Sequence, residues 1–249
     1  MILNSEQESF RASVSSFLAA KLPISALRAL RDKPVATAYD RDLWGELAVL
    51  GASSITVPAA SGGAEFGWLA LGAVAQELGR RLSPTPLLSS VVLAQGALIQ
   101  CASPEQVARY LPALLNGDEV WAVAFEEQTH FLPDCLQTAM TPLGLCGSKG
   151  MVLDGAAADR LLVTALDGSG QWGLLLVDPD TPGITLRASR LMDGRQYVAF
   201  EFSEVSELAC EWVAGPASEG AWARVLNQAM AVLAAEMLGS ARELCERTI

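Results

Sequence analysis

SPEQVARYLPALLNGDEVWAVAF, residues 103–125, changes its period halfway along. Ser103 offers a capping hydroxyl, Pro104 takes the first helical position where its missing N–H is not needed, and Gln106 can reach back to the cap, so a helix starts here. Gly117 follows the last apolar repeat and ends that helix. Val120 to Phe125 is then an unbroken apolar run rich in β-branched and aromatic residues, which reads as a strand. The chain is therefore helical before Gly117 and strand-built after it.

Working outward to the N-terminus, the spacing stays helical. Phe10, Val14, Phe17 and Leu18 share one face behind an Asn4-x-x-Gln7 capping pattern. Asp40 caps a second helix through Leu43, Trp44, Leu47 and Leu50, with Gly51 just past its end. Val74 and Leu78 mark a third helix, and Leu88 to Ile99 a fourth.

Outward to the C-terminus come short β-rich runs: Met151 to Leu153, Leu161 to Leu166, Trp172 to Val177 and Tyr197 to Phe202. Turns at Asp167-Gly168-Ser169-Gly170 and Thr181-Pro182-Gly183 separate them. Helical spacing returns from Glu219 through Trp222, Leu226, Ala229, Leu233, Met237 and Leu244. The expectation is an α+β chain with a helical domain over residues 1–117, an antiparallel β-barrel or sandwich over 118–216, and a further helix over 217–249.

Composition bounds the function. The 249 residues are 51% hydrophobic, enough for well-filled cores. The formal net charge of −11 is interrupted by no basic cluster that could displace counterions, so nucleic acid is not an expected partner. The opening MILNSEQESF has no basic stretch leading into an apolar one, and no segment reaches the ~20 apolar residues of a membrane span. Five scattered cysteines, Cys101, Cys135, Cys146, Cys210 and Cys245, read as reduced thiols of a cytoplasmic protein.

Several motifs resolve into turns. Gly147-Ser148-Lys149-Gly150 lacks the upstream glycine of a phosphate loop and leads into strand-like residues, so Lys149 reads as a turn or strand-edge residue. Gly168 to Gly173 matches GxGxxG, but a strand follows it, so it reads as a hairpin turn. His130 is the single histidine, there is no GxSxG elbow and no close cysteine pair, so neither a serine hydrolase nor a metal centre is expected. Glu126 and Glu127 are adjacent and would point to opposite faces of a strand, which reads as a solvated strand end.

Further short pieces, taken in order, resemble one family. They are Trp44-x-Glu46-Leu47-x3-Gly51, Val57-Pro58 followed by Gly62-Gly63, Glu77-Leu78-Gly79-Arg80 with Pro84, and Tyr110-Leu111-Pro112-x4-Gly117. The β-rich half adds Gly147-x-Lys149, Ala158-Asp159, Pro182-Gly183 and Asp193-Gly194-x-x-Tyr197. Together they resemble the acyl-CoA dehydrogenases, flavoproteins with a helical N-terminal domain, a middle β-domain and a C-terminal four-helix bundle.

The resemblance implies α,β-dehydrogenation of an acyl-CoA thioester. A carboxylate takes the α-proton and FAD accepts the β-hydrogen as hydride. It also implies an electron-transfer flavoprotein or similar acceptor, and a homo- or hetro-oligomer. By the same resemblance the flavin-facing residues are Phe125, Glu126 and Glu127 at one strand end, and Met151, Val152 and Leu153 on the hairpin begun by Gly147-x-Lys149. Glu126 stands where relatives carry Thr, and Met151 and Leu153 stand where they carry Trp and Thr. The resemblance places the catalytic base in the C-terminal bundle, of which residues 217–249 are read as the first helix, so no catalytic residue is assigned. The runner-up reading is a non-catalytic partner of an active subunit.

Overall fold

The computed structural model describes residues 2–32, 39–127, 135–191 and 195–248. His130, Asp193 and Gly194 lie outside these. The caps read from sequence form as expected. Asn4 and Gln7 close a capping box on α1 (Ser5–Lys21), α2 follows at Ile24–Asp32, and Asp40 accepts from the first amides of α3 (Arg41–Val49). After α4 (Gly67–Arg81) comes a wide, π-type helical stretch, Leu87–Gln95, that runs into α5 (Gly96–Cys101). Ser103 and Gln106 box the start of α6 (Pro104–Asn116), and Gly117 ends it at φ 76°, a conformation that costs glycine nothing.

Among the described residues eight strands follow: β1 (Trp121–Ala124), β2 (Ala139–Thr141), β3 (Gly144–Leu153), β4 (Arg160–Leu166), β5 (Trp172–Val177), β6 (Ile184–Arg190), β7 (Gln196–Val205) and β8 (Cys210–Ala214). They form one sheet in the order β6-β7-β3-β2-β4-β5-β8, with β1 paired to β4 off that path. The α+β arrangement is the one expected, but the sheet is mixed and does not close among the described residues. β1 and β2 both run parallel to β4. The reason is connectivity: the chain leaves β1, makes the β2–β3 hairpin, and re-enters beside β1 in the same direction, whereas only hairpin neighbours are forced antiparallel. The GxGxxG segment is a turn as read. Asp167 Oδ1 accepts from the amides of Ser169 and Gln171 at 2.8 and 2.9 Å, and β4 pairs with β5 on either side.

The unbroken apolar run after Gly117 has a packing cause. Trp121 and Val123 face a core shared with the helices, while Ala122 and Ala124 face a second core on the other side of the sheet. A strand buried on both faces has no polar face to show.

The C-terminal helix, α7 (Glu219–Thr248), lies on α4. Its crossing is backbone to backbone: a Cβ on Gly79 would sit 1.9 Å from the Glu236 carbonyl oxygen, and one on Gly239 would sit 2.0 Å from that of Gln76. Ser240 Oγ donates to the Gly79 carbonyl at 2.9 Å across the same contact. Trp222, Val225 and Val232 are buried in the helical core, whereas Met230, Met237 and Leu244 are exposed on another face. No described helix is long and apolar enough to cross a membrane.

Candidate functional site

Two segments singled out in the sequence meet at the end of β1. The Gly150 amide donates to the Glu126 carbonyl at 2.8 Å, which lays β3 alongside Phe125, Glu126 and Glu127. Further back on β3, Gly147 lets the strand pass close to Thr138 just before β2: its φ is +139° and a Cβ there would come within 2.6 Å of Thr138 Cα. A bulge between Lys149 and Val152 holds Met151 at φ 51° and turns its side chain outward, 45% exposed.

The six expected flavin-facing side chains therefore diverge. Met151 is on the open surface, and the half-buried Glu126 carboxyl is pushed above the usual carboxylate range by burial. Phe125 packs edge-on against Trp222 of α7, with ring centroids 5.8 Å apart. Val152 faces the sheet core, Leu153 lines a cavity, and Glu127 turns inward.

Glu127 and Lys149 correct the sequence reading. Lys149 is neither a turn nor a strand-edge residue: its side chain has no exposure, and Nζ donates to Glu127 Oε1 at 2.7 Å and to Thr164 Oγ1 at 3.0 Å. Glu127 is not a solvated strand end either. Its carboxylate also accepts from the amides of Gln137 and Thr138 at 2.7 and 2.9 Å. Burial pushes Lys149 down to about 8 against the pull of Glu127. Burial alone would raise Glu127, but Lys149 and Thr138 outweigh it and hold the carboxyl below its usual range. The lysine is the deeper partner, so desolvation falls mainly on it, and the pair is charged at neutral pH. The one available signal was phase, since Lys149 alternates with Leu145 and Gly147 on the strand.

The second feature was not visible in the sequence. A cavity of about 300 Å³ lies where α4, the π-type stretch, β3, β7 and α7 converge. Leu78, Leu87, Leu153, Val232 and Leu233 give it apolar walls, and Asp154, Arg195, Tyr197 and Glu236 interrupt them. Asp154 sits in the left-handed region at φ 57° and is 5% exposed. Ser89 Oγ donates to its Oδ2 at 2.6 Å. Burial raises Asp154 to about 6, opposed by Ser89 and Arg195 and reinforced by Glu236. Arg195 and Glu236 form an ion pair along the cavity wall. Among the described residues there is no group of three His, Cys, Asp or Glu that could hold a metal ion.

As a flavin face, the six side chains do not fit. Phe125, Met151, Val152 and Leu153 carry no donor, and Glu127 is committed to Lys149 and two amides. Glu126 places a carboxyl where a ring heteroatom would need a hydroxyl. Backbone amides are what these strands can offer such a ring.

Comparison with known proteins gives one consistent result. A family model for the N-terminal domain of acyl-CoA dehydrogenases matches residues 4–118. The acyl-CoA dehydrogenase FadE27 of Mycobacterium tuberculosis is 37% identical over 152 residues, covering 60% of this chain and 40% of that protein. FadE28 of the same organism is 29% identical over 202 residues, covering 81% of this chain and 57% of that one. The chain thus spans about half the length of these curated relatives. The ChsE4-ChsE5 complex from Mycobacterium tuberculosis matches with a TM-score of 0.82 at 27% identity, covering 97% of this chain and 65% of that chain. A glutaryl-CoA dehydrogenase from Mycobacterium smegmatis in complex with FADH2 shares the fold, with a TM-score of 0.83 at 22% identity over 97% of this chain and 64% of that one. Caps, sheet, hairpin and matches agree: residues 4–118 match the N-terminal domain of acyl-CoA dehydrogenases, and the chain is similar in sequence and fold to members of that family.

Proposed function

We propose that this chain is a subunit of an acyl-CoA dehydrogenase-type flavoprotein, an assembly that removes the α and β hydrogens of an acyl-CoA thioester with FAD as hydride acceptor and passes electrons to an electron-transfer flavoprotein or similar partner. The observation that carries the reading is the cavity beside the end of β3. It is walled by leucines and valines from both helical regions and has the ~300–1,000 Å³ scale of a small-molecule site. In this reading the acyl portion occupies the cavity. The chain's own contribution is to bind that portion, to exclude water from it, and to set one wall of the site with β1 and β3.

A second reading is favoured by a separate observation. The side chains at Glu126, Met151 and Leu153 give a flavin no hydroxyl or indole, and the neighbouring Glu127 is locked to Lys149. Each hydrogen bond so lost is worth about 0.5–1.5 kcal/mol net. This supports a partner role, in which a paralogous subunit holds the flavin and this chain completes the oligomer. The pairing of ChsE4 with ChsE5 in a related complex is in keeping with it.

One experiment separates the two. The chain is purified alone and co-expressed with a paralogous subunit, and bound oxidised flavin is read from visible absorption. Stoichiometric FAD on the chain alone supports the first reading and sinks the second. FAD found with the pair and absent from the chain alone supports the second. The triple change Glu126→Thr, Met151→Trp and Leu153→Thr should then raise flavin retention by the chain alone. Absence of flavin from both preparations, together with no binding of any acyl-CoA, overturns the flavoprotein reading itself.

A further inference from the structure

The cavity is two-faced. Leu27, Leu78, Leu87, Val232, Leu233 and Met237 line it with hydrocarbon, while Asp154, Arg195, Glu236, Tyr197 and Ser240 put polar groups on the same surface. A plain hydrocarbon chain would be served best by the first set alone. Filling the cavity with such a chain would strip water from Asp154 and from the Arg195–Glu236 pair and return no hydrogen bond to either. Buried charge at a ligand wall is therefore a statement about the ligand.

We propose that the cavity selects an acyl group bearing a hydroxyl, which donates to the Asp154 carboxylate and accepts from the Arg195 guanidinium. The proposal rests on the acyl-CoA reading of the cavity given above and names the substrate class within it. A hydroxyl suits the pair of groups because it is donor and acceptor at once. A ketone could take only the Arg195 bond and would leave the carboxylate facing it. A carboxylate on the ligand would meet Asp154 and Glu236, two like charges, across the same space. Ser89 fixes the Asp154 carboxylate by its bond to Oδ2, so the acceptor is held in place before ligand arrives. That prior ordering lowers the cost of binding.

The test measures binding of decanoyl-CoA and of its positional hydroxy isomers to the full chain by calorimetry, with Asp154→Asn as the variant. Asn tolerates the left-handed backbone at this position, so the variant should fold, and unchanged circular dichroism checks that it does. At least one hydroxy isomer should bind tenfold or more tighter than decanoyl-CoA. Asp154→Asn should reduce that advantage at least fivefold, weakening the preferred hydroxy isomer and tightening decanoyl-CoA, because a neutral amide costs less to strip of water than a carboxylate. If every isomer binds within twofold of decanoyl-CoA, the hydroxyl selection is wrong and the acyl-CoA reading survives. If the advantage persists undiminished in Asp154→Asn, the assignment to Asp154 is wrong. If no acyl-CoA binds in any form, both the selection and the reading beneath it fall.

Discussion

Lys149 and Asp154 stand at the two ends of the bulged tip of β3, both buried, with opposite surroundings. Lys149 is enclosed by protein: it donates to Glu127 and Thr164, and the Glu127 oxygens are taken up by Lys149 and two backbone amides. Asp154 has Ser89 on one side and the cavity on the other. The first charge is answered within the fold and holds β1, β2 and β3 together. The second is answered only in part and lies where a ligand can complete it. A buried charge is therefore read by whether its hydrogen bonds end in protein or in space.

Removing one side of the closed pair should have the largest effect. Glu127→Leu leaves the Lys149 ammonium buried without its counter-charge and frees the amides of Gln137 and Thr138, and should cost about 3–5 kcal/mol in urea unfolding. Adding Lys149→Met to that variant should restore much of the loss, because the buried charge is then gone. A loss under about 1 kcal/mol for Glu127→Leu would mean that water reaches the pair, and the contrast with Asp154 would fail.

The α7 crossing should separate the two charges in a different way. Gly239→Ala puts a methyl onto the Gln76 carbonyl and forces α7 off α4, at a cost of about 3 kcal/mol, the upper end for overpacking. Because Glu236, Val232 and Leu233 ride on α7, cavity binding should weaken with it. Among the described residues the Lys149–Glu127 pair takes no hydrogen bond from α7 and should keep its stability contribution. A double-mutant cycle between Gly239→Ala and Glu127→Leu should therefore be additive within about 0.5 kcal/mol.

Asp154 should show the opposite sign from Glu127. Burial raises its carboxyl to about 6, from the ordinary 3.8 of an exposed aspartate. Between those values the native state holds a proton the unfolded chain has released, so stability falls as pH rises through that window. Below it there is no penalty, and above it the ionised group costs about 2–3 kcal/mol. Arg195 and Glu236 act on the same group, the first lowering it and the second raising it, and Tyr39 is itself pushed up by the Asp154 charge. Asp154→Asn should thus be more stable than the parent by about 2 kcal/mol at pH 7 and indistinguishable from it at pH 4, read from thermal unfolding at both. A variant less stable than the parent at pH 7 would show that the carboxylate is satisfied within the fold after all.

Much of the architecture was legible because it is local. The caps at Asn4, Asp40 and Ser103 and the stop at Gly117 depend on residues within one turn of each other. The strands over Leu161 to Leu166 and Trp172 to Val177 are marked by apolar runs between turn residues. α2 left no mark, since none of its residues is buried, and β6 is too polar to stand out. Sheet order was out of reach, because the parallel pairing of β1 with β4 depends on how the chain returns after β3. The site was legible only in part. The resemblance grouped residues 125–127 with 151–153, but Gly150 meeting Glu126 and Lys149 meeting Glu127 are contacts between β3 and the end of β1, more than twenty residues apart, which no local pattern reveals. The cavity was out of reach for a plainer reason: its wall is assembled from residues as far apart in sequence as Leu27 and Ser240.

Met151, on the bulge between the two charges, should give the smallest effect and for that reason the cleanest readout. Its side chain is on the open surface, and the bulge is held by backbone pairing on both sides, Lys149 with Phe200 and Val152 with Val198. Met151→Trp enlarges an exposed residue without disturbing a core, so stability should change by no more than about 0.5 kcal/mol. The positive φ is already borne by a non-glycine residue, and tryptophan adds no new backbone demand. Whatever the variant does to flavin retention is then an effect on a ligand contact and not on folding. Retention raised in the chain alone would show that this face meets a flavin and lacked a stacking ring. Retention unchanged, with stability unchanged, would assign Met151 to plain surface and leave the cavity as the functional half of the comparison.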